Sequence, residues 1–428
     1  MAAGKHQQRA RSATKQPAQP IELSIWMHCA FFLLAYALIA SRRPDAIFRP
    51  QFWAEDGHVW FADAYNLGWW PALFRAQDGY YQTLPRLAAA LALLVPLALA
   101  PLVLNLVAIG VQALPGSLLL ASRSSAWGNL RFRALLAGIY VALPNCREMG
   151  AVVTSSQWIM TLCAFLVLAA STPKGNGGKL FEISLLLLCG LTGPFCIFLL
   201  PIAVFLAWKR RDQWARIRAG TLAALCLVQA WALLVVDPSV RPHFALGASP
   251  GLFTRILAGH VYLAALLGHN TFAAQSAPFI FFLFVALAGT AIVAICFAKS
   301  TVEMRLFLVL SAMLFAASLL TPSVYPPPGV SVWKMMAGVS AIRYWFFPTL
   351  AFAWSLLWCL HSRPVPVKAV SACLLLLMCY GIVRDWEHPP YRNLHFADQV
   401  KRFEAAPAGT AVVFPVNPKG WTMQLLRQ

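Results

Sequence analysis

Glu55 and Asp56 are adjacent carboxylates followed by a glycine, in the run Phe52-Trp53-Ala54-Glu55-Asp56-Gly57. Such a pair can take a proton as a general base, hold a divalent cation, or cap a following helix. The third reading is concrete for Asp56, which stands just before apolar residues at helical spacing in residues 58–70. Asp78-Gly79-Tyr80-Tyr81 and Pro85-Arg86 follow. Residues 42–85 hold Asp45, Glu55, Asp56, Asp63 and Asp78, a third of the 15 acidic side chains in about a tenth of the chain. That density marks the stretch as the first place to look for chemistry.

A second constellation is Pro144-Asn145-Cys146-Arg147-Glu148, with Gln157-Trp158 beyond it. Glu148 lies between long apolar stretches, where an ionisable group is costly and marks a functional position by default. A surface pair with Arg147 is the plainer alternative. Lys334 and Arg343-Tyr344 precede an apolar run, and Arg241, His243 and Arg255 lie in another polar stretch. Arginines there can hold a phosphate through two parallel hydrogen bonds, or simply snorkel to the membrane interface. The nine histidines show no HExxH-like spacing, and no Walker, GxGxxG or GxSxG motif is present. Nucleotide hydrolysis and serine-hydrolase chemistry therefore have no support.

The elements that must position these residues are membrane helices. The chain has 428 residues, 60% hydrophobic and 11% charged, about half the charged fraction of a soluble domain. Apolar runs such as 91–111, 183–207 and 279–298 have the length a helix needs to cross the hydrocarbon, and a helix satisfies its own backbone there. The net charge of +19 gathers in short loops: Lys5, Arg9, Arg11 and Lys15; Arg123, Arg131 and Arg133; Lys209, Arg210, Arg211, Arg216 and Arg218; Arg363 and Lys368. That is the positive-inside pattern of cytoplasmic loops, so nucleic acid is not an expected partner and the lipid bilayer is. Nine of the ten cysteines sit in apolar runs and no pair has ligand spacing, so they read as core residues.

The expected fold is an all-α polytopic membrane protein with about ten to twelve transmembrane helices. Residues 1–20 read as a cytoplasmic tail, 21–382 as the membrane domain, and 383–428 as an extracytoplasmic, amphipathic tail. Within the membrane domain the first run reads as a retained span, not a cleaved signal. Residues 41–85 then form a long outer loop, its 58–70 segment an interfacial helix with Trp69-Trp70 at headgroup level. Residues 237–270 and 322–342 thread as outer loops. The region 87–208 does not divide into regular spans: Pro96, Pro101 and Pro115 punctuate it, residues 134–144 are too short to cross, and Thr192-Gly193-Pro194 break another run. Broken helices at membrane depth are tolerated where they are buried or line a cavity, which makes this half the expected site-bearing core.

A first span followed by a long outer loop with adjacent acids is similar to the GT-C superfamily of membrane glycosyltransferases. The order of Phe52–Gly57, Gly79-Tyr80-Tyr81, Pro85-Arg86, Pro144, Glu148, Trp158, Gly193-Pro194, Arg343-Tyr344, Phe414-Pro415-Val416-Asn417-Pro418 and Gly420-Trp421 resembles a bacterial group of that type. The chain departs from it at Ser155-Ser156-Gln157, where an asparagine is expected before the tryptophan.

The resemblance implies a polyprenyl-phosphate-linked sugar donor, a cell-envelope acceptor (glycan, lipid or protein), hexosyl or pentosyl transfer on the outer face, and a bacterial inner membrane. It implies Asp56, or Glu55, as the base. Arg343 and Arg86 are the candidates for the lipid phosphate, and Glu148 for a second acid shaping the pocket. Tyr80, Asp78, Trp158, Tyr344 and Lys334 complete the candidate substrate contacts. Some members use a divalent cation; the Glu55–Asp56 pair permits magnesium or manganese without requiring either. A transporter or flippase of a lipid-linked or polar solute, a surface-polysaccharide polymerase or ligase, and a structural subunit are the rival readings.

Overall fold

The apolar runs fold as helices whose shared packing leaves two chemically different ends. The structure is a computed structural model, and it describes residues 24–237, 244–269, 277–338, 341–361 and 364–428. Lys5, Arg9, Arg11, Lys15, Arg241, His243 and Arg363 lie outside the described residues. In chain order the principal helices are α1 (Ile25–Arg42), α2 (Thr83–Ala92), α3 (Leu97–Leu120), α4 (Leu130–Val141), α5 (Ser156–Ala169), α6 (Asn176–Gly190) and α7 (Cys196–Arg210). They continue as α8 (Gln213–Val236), α9 (Pro250–Leu267), α10 (Phe279–Lys299), α11 (Val302–Leu320), α12 (Phe346–Cys359), α13 (Val365–Arg384) and α14 (Phe396–Glu404). Strands β1 (Ala411–Val416) and β2 (Trp421–Leu426) pair antiparallel. The chain is thus mostly helical, with a small hairpin where an all-α fold was expected.

Among the described residues, seven helices are long and apolar enough to cross a membrane: α1, α3, α8, α9, α10, α11 and α13. The helices α4 to α7 and α12 are shorter, at 12 to 15 residues. Basic side chains collect at one end. Glu182 of α6, only 1% exposed, accepts from Arg123, from the Trp214 indole at 2.7 Å and from Arg218 at 2.7 Å. Arg210 donates to the carbonyls of Leu168, Ala169 and Ala170 at the end of α5 and pairs with Glu303. A buried carboxylate between two arginines is stable only because its oxygens are filled.

The stretch from Arg42 to Ala92 lies at the other end. There Arg42 donates to Val141, Leu143, Asp385 and Trp386 carbonyls, joining the ends of α1, α4 and α13. One cation across several helix C-termini offsets both their free carbonyls and their dipoles.

The irregular region expected between residues 87 and 208 resolves into paired breaks. Pro96 separates α2 from α3, and Thr192-Gly193-Pro194 separate α6 from α7. The second break is closed by the extended segment before α2. Thr83 donates to Leu191, Gly193 to Tyr81, and Leu84 to the Thr192 hydroxyl. Gln229 of α8, fully buried, accepts from Tyr81 N–H and donates to the Gly190 and Gly193 carbonyls. Backbone freed from a helix at this depth must find partners inside the protein, and a single amide supplies them. Gly193 is required here: its φ is +92°, and an added Cβ would meet Gln157 Oε1 at 2.4 Å.

Residues 237–270 are not simply a loop, since they contain α9. Arg255 stacks over Phe282 near the start of α10, while Leu266 lies under Gly381 near the end of α13. Both ends of α9 therefore sit at the end of the bundle that carries the acidic stretch. Hydropathy alone reads α9 as a crossing; its neighbours place it across one end.

The 58–70 segment differs from the expected interfacial helix. A helix runs from Asp56 to Leu67, opening with wider π-helical turns. Trp60 and Phe61 are each 1% exposed, Trp60 against Arg86 and Thr154 and Phe61 in a cluster shared with the chain's last residues. Phe52, Phe61, Phe396, Phe403 and Phe414 form one aromatic core with α14 and the hairpin. Asn66 bonds to Gln424 and Leu426, and the His58 ring to the Thr422 carbonyl. Periodicity marks an apolar face without saying whether lipid or protein covers it. Only Trp69 and Trp70, 51% and 57% exposed, and Phe74 are left as an outward aromatic edge.

Candidate active site

The acidic motif and the motif near the C-terminus build one platform. Trp53 bridges to Asn417, Asn417 N–H donates to the Phe52 carbonyl, and Ala54 N–H donates back to Asn417. Asn417 also exchanges two hydrogen bonds with the Arg392 backbone. Gly57 leaves room for Phe52, whose Cβ an added methyl would approach to 2.9 Å. Trp53 stacks on Tyr391 at 5.0 Å, and the Arg43 guanidinium lies over the same ring, 4.2 Å from its centroid. These contacts give Phe52, Trp53, Ala54 and Gly57 a structural part in this joint.

The two adjacent carboxylates have opposite surroundings. Asp56, 1% exposed, does not cap its own helix. Its Oδ2 accepts from Val153 N–H at 3.0 Å, and its Oδ1 from Thr154 N–H at 2.9 Å and the Thr154 hydroxyl at 2.6 Å. Trp60 then donates to the same hydroxyl. Burial pushes Asp56 up to about 7, against the pull of these donors. Asp56 is thus the clamp that fastens the loop before α5.

Glu55 is partly exposed, and among the described residues no hydrogen bond ties its carboxylate to another side chain. Burial raises its pKa; Arg343 and, less strongly, His58 work against that, while Asp78 adds to it. Asp45 and Asp63 are occupied elsewhere. Asp45 accepts from Tyr391 N–H, and Asp63 from Arg75 at 2.8 Å and Arg86 at 3.0 Å. Of the adjacent pair, Glu55 has the surroundings of a base.

Arg343 is the cation of this site. Its backbone N–H and Nη1 reach Glu148 Oε2 at 3.2 and 3.5 Å, and Nη2 donates to the Ser323 carbonyl at 2.9 Å. The guanidinium lies 4.8 Å from the Tyr344 ring centroid, and the Tyr344 hydroxyl accepts from Ser323 N–H. Burial opposes its charge, but Tyr344, Glu148 and Glu55 outweigh that and hold it above its ordinary value. The side chain is one-third exposed, so part of the guanidinium edge is open to a ligand. Trp158 packs against Phe195 at 4.6 Å and Tyr344 at 5.8 Å, its buried indole N–H unpartnered. Glu148, for which a surface pair with Arg147 was the plainer alternative, pairs with Arg343.

The structure brings Glu55, Asp78, Glu148, Trp158, Arg343 and Tyr344 into one neighbourhood. Tyr80, 8% exposed, belongs to the 77–80 turn that carries Asp78. It does not bring Arg86 there. That residue is 2% exposed, paired with Asp63 and stacked on Trp60 at 5.1 Å. Lys334 is exposed on the short helix Val332–Met336, and its charge is not among those acting on Glu55 or Arg343.

A divalent cation fits poorly. Asp56 gives both oxygens to the 153–154 loop, so the acidic pair does not present two carboxylates to one ion. Among the described residues no three metal-ligating side chains group together. Sequence reasoning missed Gln229, which holds Tyr81 from 148 residues away, and Arg43, which lies over the Tyr391 ring. A lone amide in the apolar run 219–236 was a signal for the first; nothing local marked the second. No family model matches the chain, and no curated protein matches it.

Proposed function

We propose that the chain is a membrane glycosyltransferase that takes its sugar from a polyprenyl-phosphate-linked donor and transfers it on the outer face of the membrane. The observation that carries this reading is the juxtaposition of Glu55 with the Glu148-fixed Arg343, at the end of the bundle opposite the basic side chains. The positive-inside rule puts the basic end in the cytoplasm and the acidic stretch outside. A base and a phosphate partner with no nucleotide motif suit a donor that carries its leaving group in a lipid.

In the reaction, the acceptor hydroxyl oxygen attacks the anomeric carbon and its proton passes to Glu55. The bond from that carbon to the phosphate oxygen breaks, and polyprenyl phosphate leaves as an anion toward Arg343. Glu148 and the Tyr344 ring keep the guanidinium in place. No step is routed through a metal. Trp158 and Tyr344 supply aromatic surface beside the phosphate partner.

The test is to incubate purified protein in nanodiscs with a panel of polyprenyl-phosphate sugars and follow sugar release. Native chain is expected to turn over one donor class. Glu55→Gln should lose at least about 100-fold, the usual contribution of a general base, while donor binding persists. If no donor binds or turns over, or Glu55→Gln is fully active, the reading fails and transport of a lipid-linked solute takes its place.

A further inference from the structure

At the basic end, far from the Arg343 cluster, the bundle carries a groove of about 810 Å3, within the size range of ligand sites. The groove opens between α1 and α6, because α1 packs on α3 and α6 on α5 while the two outer helices stay apart. Phe32 and Leu33 of α1, Leu118 of α3, Leu166 of α5 and Phe181 of α6 give it apolar walls. Its polar lining is His28 and Ser117 on the walls and Ser122, Arg123 and Glu182 together.

Depth selects the occupant. On α1 the lining runs from Ile25 to Leu33, roughly 12 Å at the helical rise. That matches the hydrocarbon of one leaflet, about 15 Å, and falls short of the roughly 30 Å a crossing helix of another protein needs. An apolar groove at that depth does not hold water.

Charge selects the headgroup. Arg123 and Arg218 share the single carboxylate of Glu182, leaving one positive charge in excess. The Arg123 side chain is 39% exposed, with Nη2 on Glu182 and Nε on the Ser171 carbonyl. Its other terminal nitrogen is left to meet a phosphate. We infer that this groove binds an acyl chain of an anionic phospholipid from the leaflet at the basic end, with the lipid phosphate on Arg123. The site is separate from the proposed transferase centre and stands whatever reaction that centre performs.

Native mass spectrometry of the full chain, from micelles containing equal phosphatidylglycerol and phosphatidylcholine, tests it. The native chain is expected to keep one lipid, with phosphatidylglycerol favoured about five-fold, as one basic residue at an anionic headgroup provides. Ala121→Trp and Leu118→Trp should each fill the groove and lose that lipid with the ion pairs intact. Arg123→Gln should keep a lipid but lose the preference. Equal retention of the two lipids by native chain, unchanged retention in both tryptophan variants, or a lipid-free dimer that covers the groove would each overturn the inference.

Discussion

Replacing Asp56 by asparagine should weaken the fold before it touches the chemistry. The amide turns one acceptor into a donor facing the Val153 or Thr154 N–H, and an orphaned buried donor costs about 1–3 kcal/mol. Thermal unfolding in detergent measures that loss, and a variant as stable as native chain would remove the clamp role. The pH dependence has a definite sign. Asp56 titrates at about 7 in the fold and near about 4 in the unfolded chain. Between those values the folded state holds the extra proton, so this group makes stability fall as pH rises from about 4 to about 7. Asp56→Asn should flatten that part of the profile.

Glu55 reads out differently, through rate. As the proposed base it must be ionised, and its raised pKa should move the acid limb of kcat/KM above the ordinary carboxylate range. Asp78→Asn removes a charge that raises Glu55, so the limb should move to lower pH. A limb that stays put in a pH–rate series would disconnect Asp78 from the base.

At the scale of elements, the joint between the 77–84 segment and the α6–α7 break decides whether the site exists. Gly193→Ala would force an L residue to φ +92° and its methyl onto Gln157. Strain of this kind costs about 1–3 kcal/mol, readable as a lowered Tm. Gln229→Leu is the stronger change, because it strands the Tyr81 N–H and the carbonyls of Gly190 and Gly193 together. Limited proteolysis should then cut near Tyr81 while the rest of the bundle persists. The breaks were visible in the sequence as Thr192-Gly193-Pro194, since proline and glycine interrupt helices whatever surrounds them. Their partner was not, because the segment that closes them lies about a hundred residues earlier.

For the whole molecule, the two charged ends predict opposite-side labelling. Cysteine placed at Lys209 and at Glu387 should react with a membrane-impermeant maleimide from different faces of sealed vesicles. Reaction of both from one face would break the two-ended arrangement. Truncation before Phe396 should expose Phe52 and Phe61 and leave the acidic stretch without its cover, seen as protease-sensitive or aggregated protein.

Composition and run length determined that this chain is a helical membrane protein, because the bilayer imposes one length and one backbone solution on any apolar run. The basic loops likewise determined which helix ends cluster. Residue type also singled out Glu55, Glu148 and Arg343. Tertiary structure alone decided their surroundings, since those depend on which partners arrive from elsewhere. It tied Asp56 to the Val153–Thr154 loop and Arg86 to Asp63. It joined Glu148 to Arg343 across nearly two hundred residues, and it covered an apparently interfacial helix with the chain's own C-terminal hairpin. Periodicity records that a face must be covered. Only the folded chain settles by what.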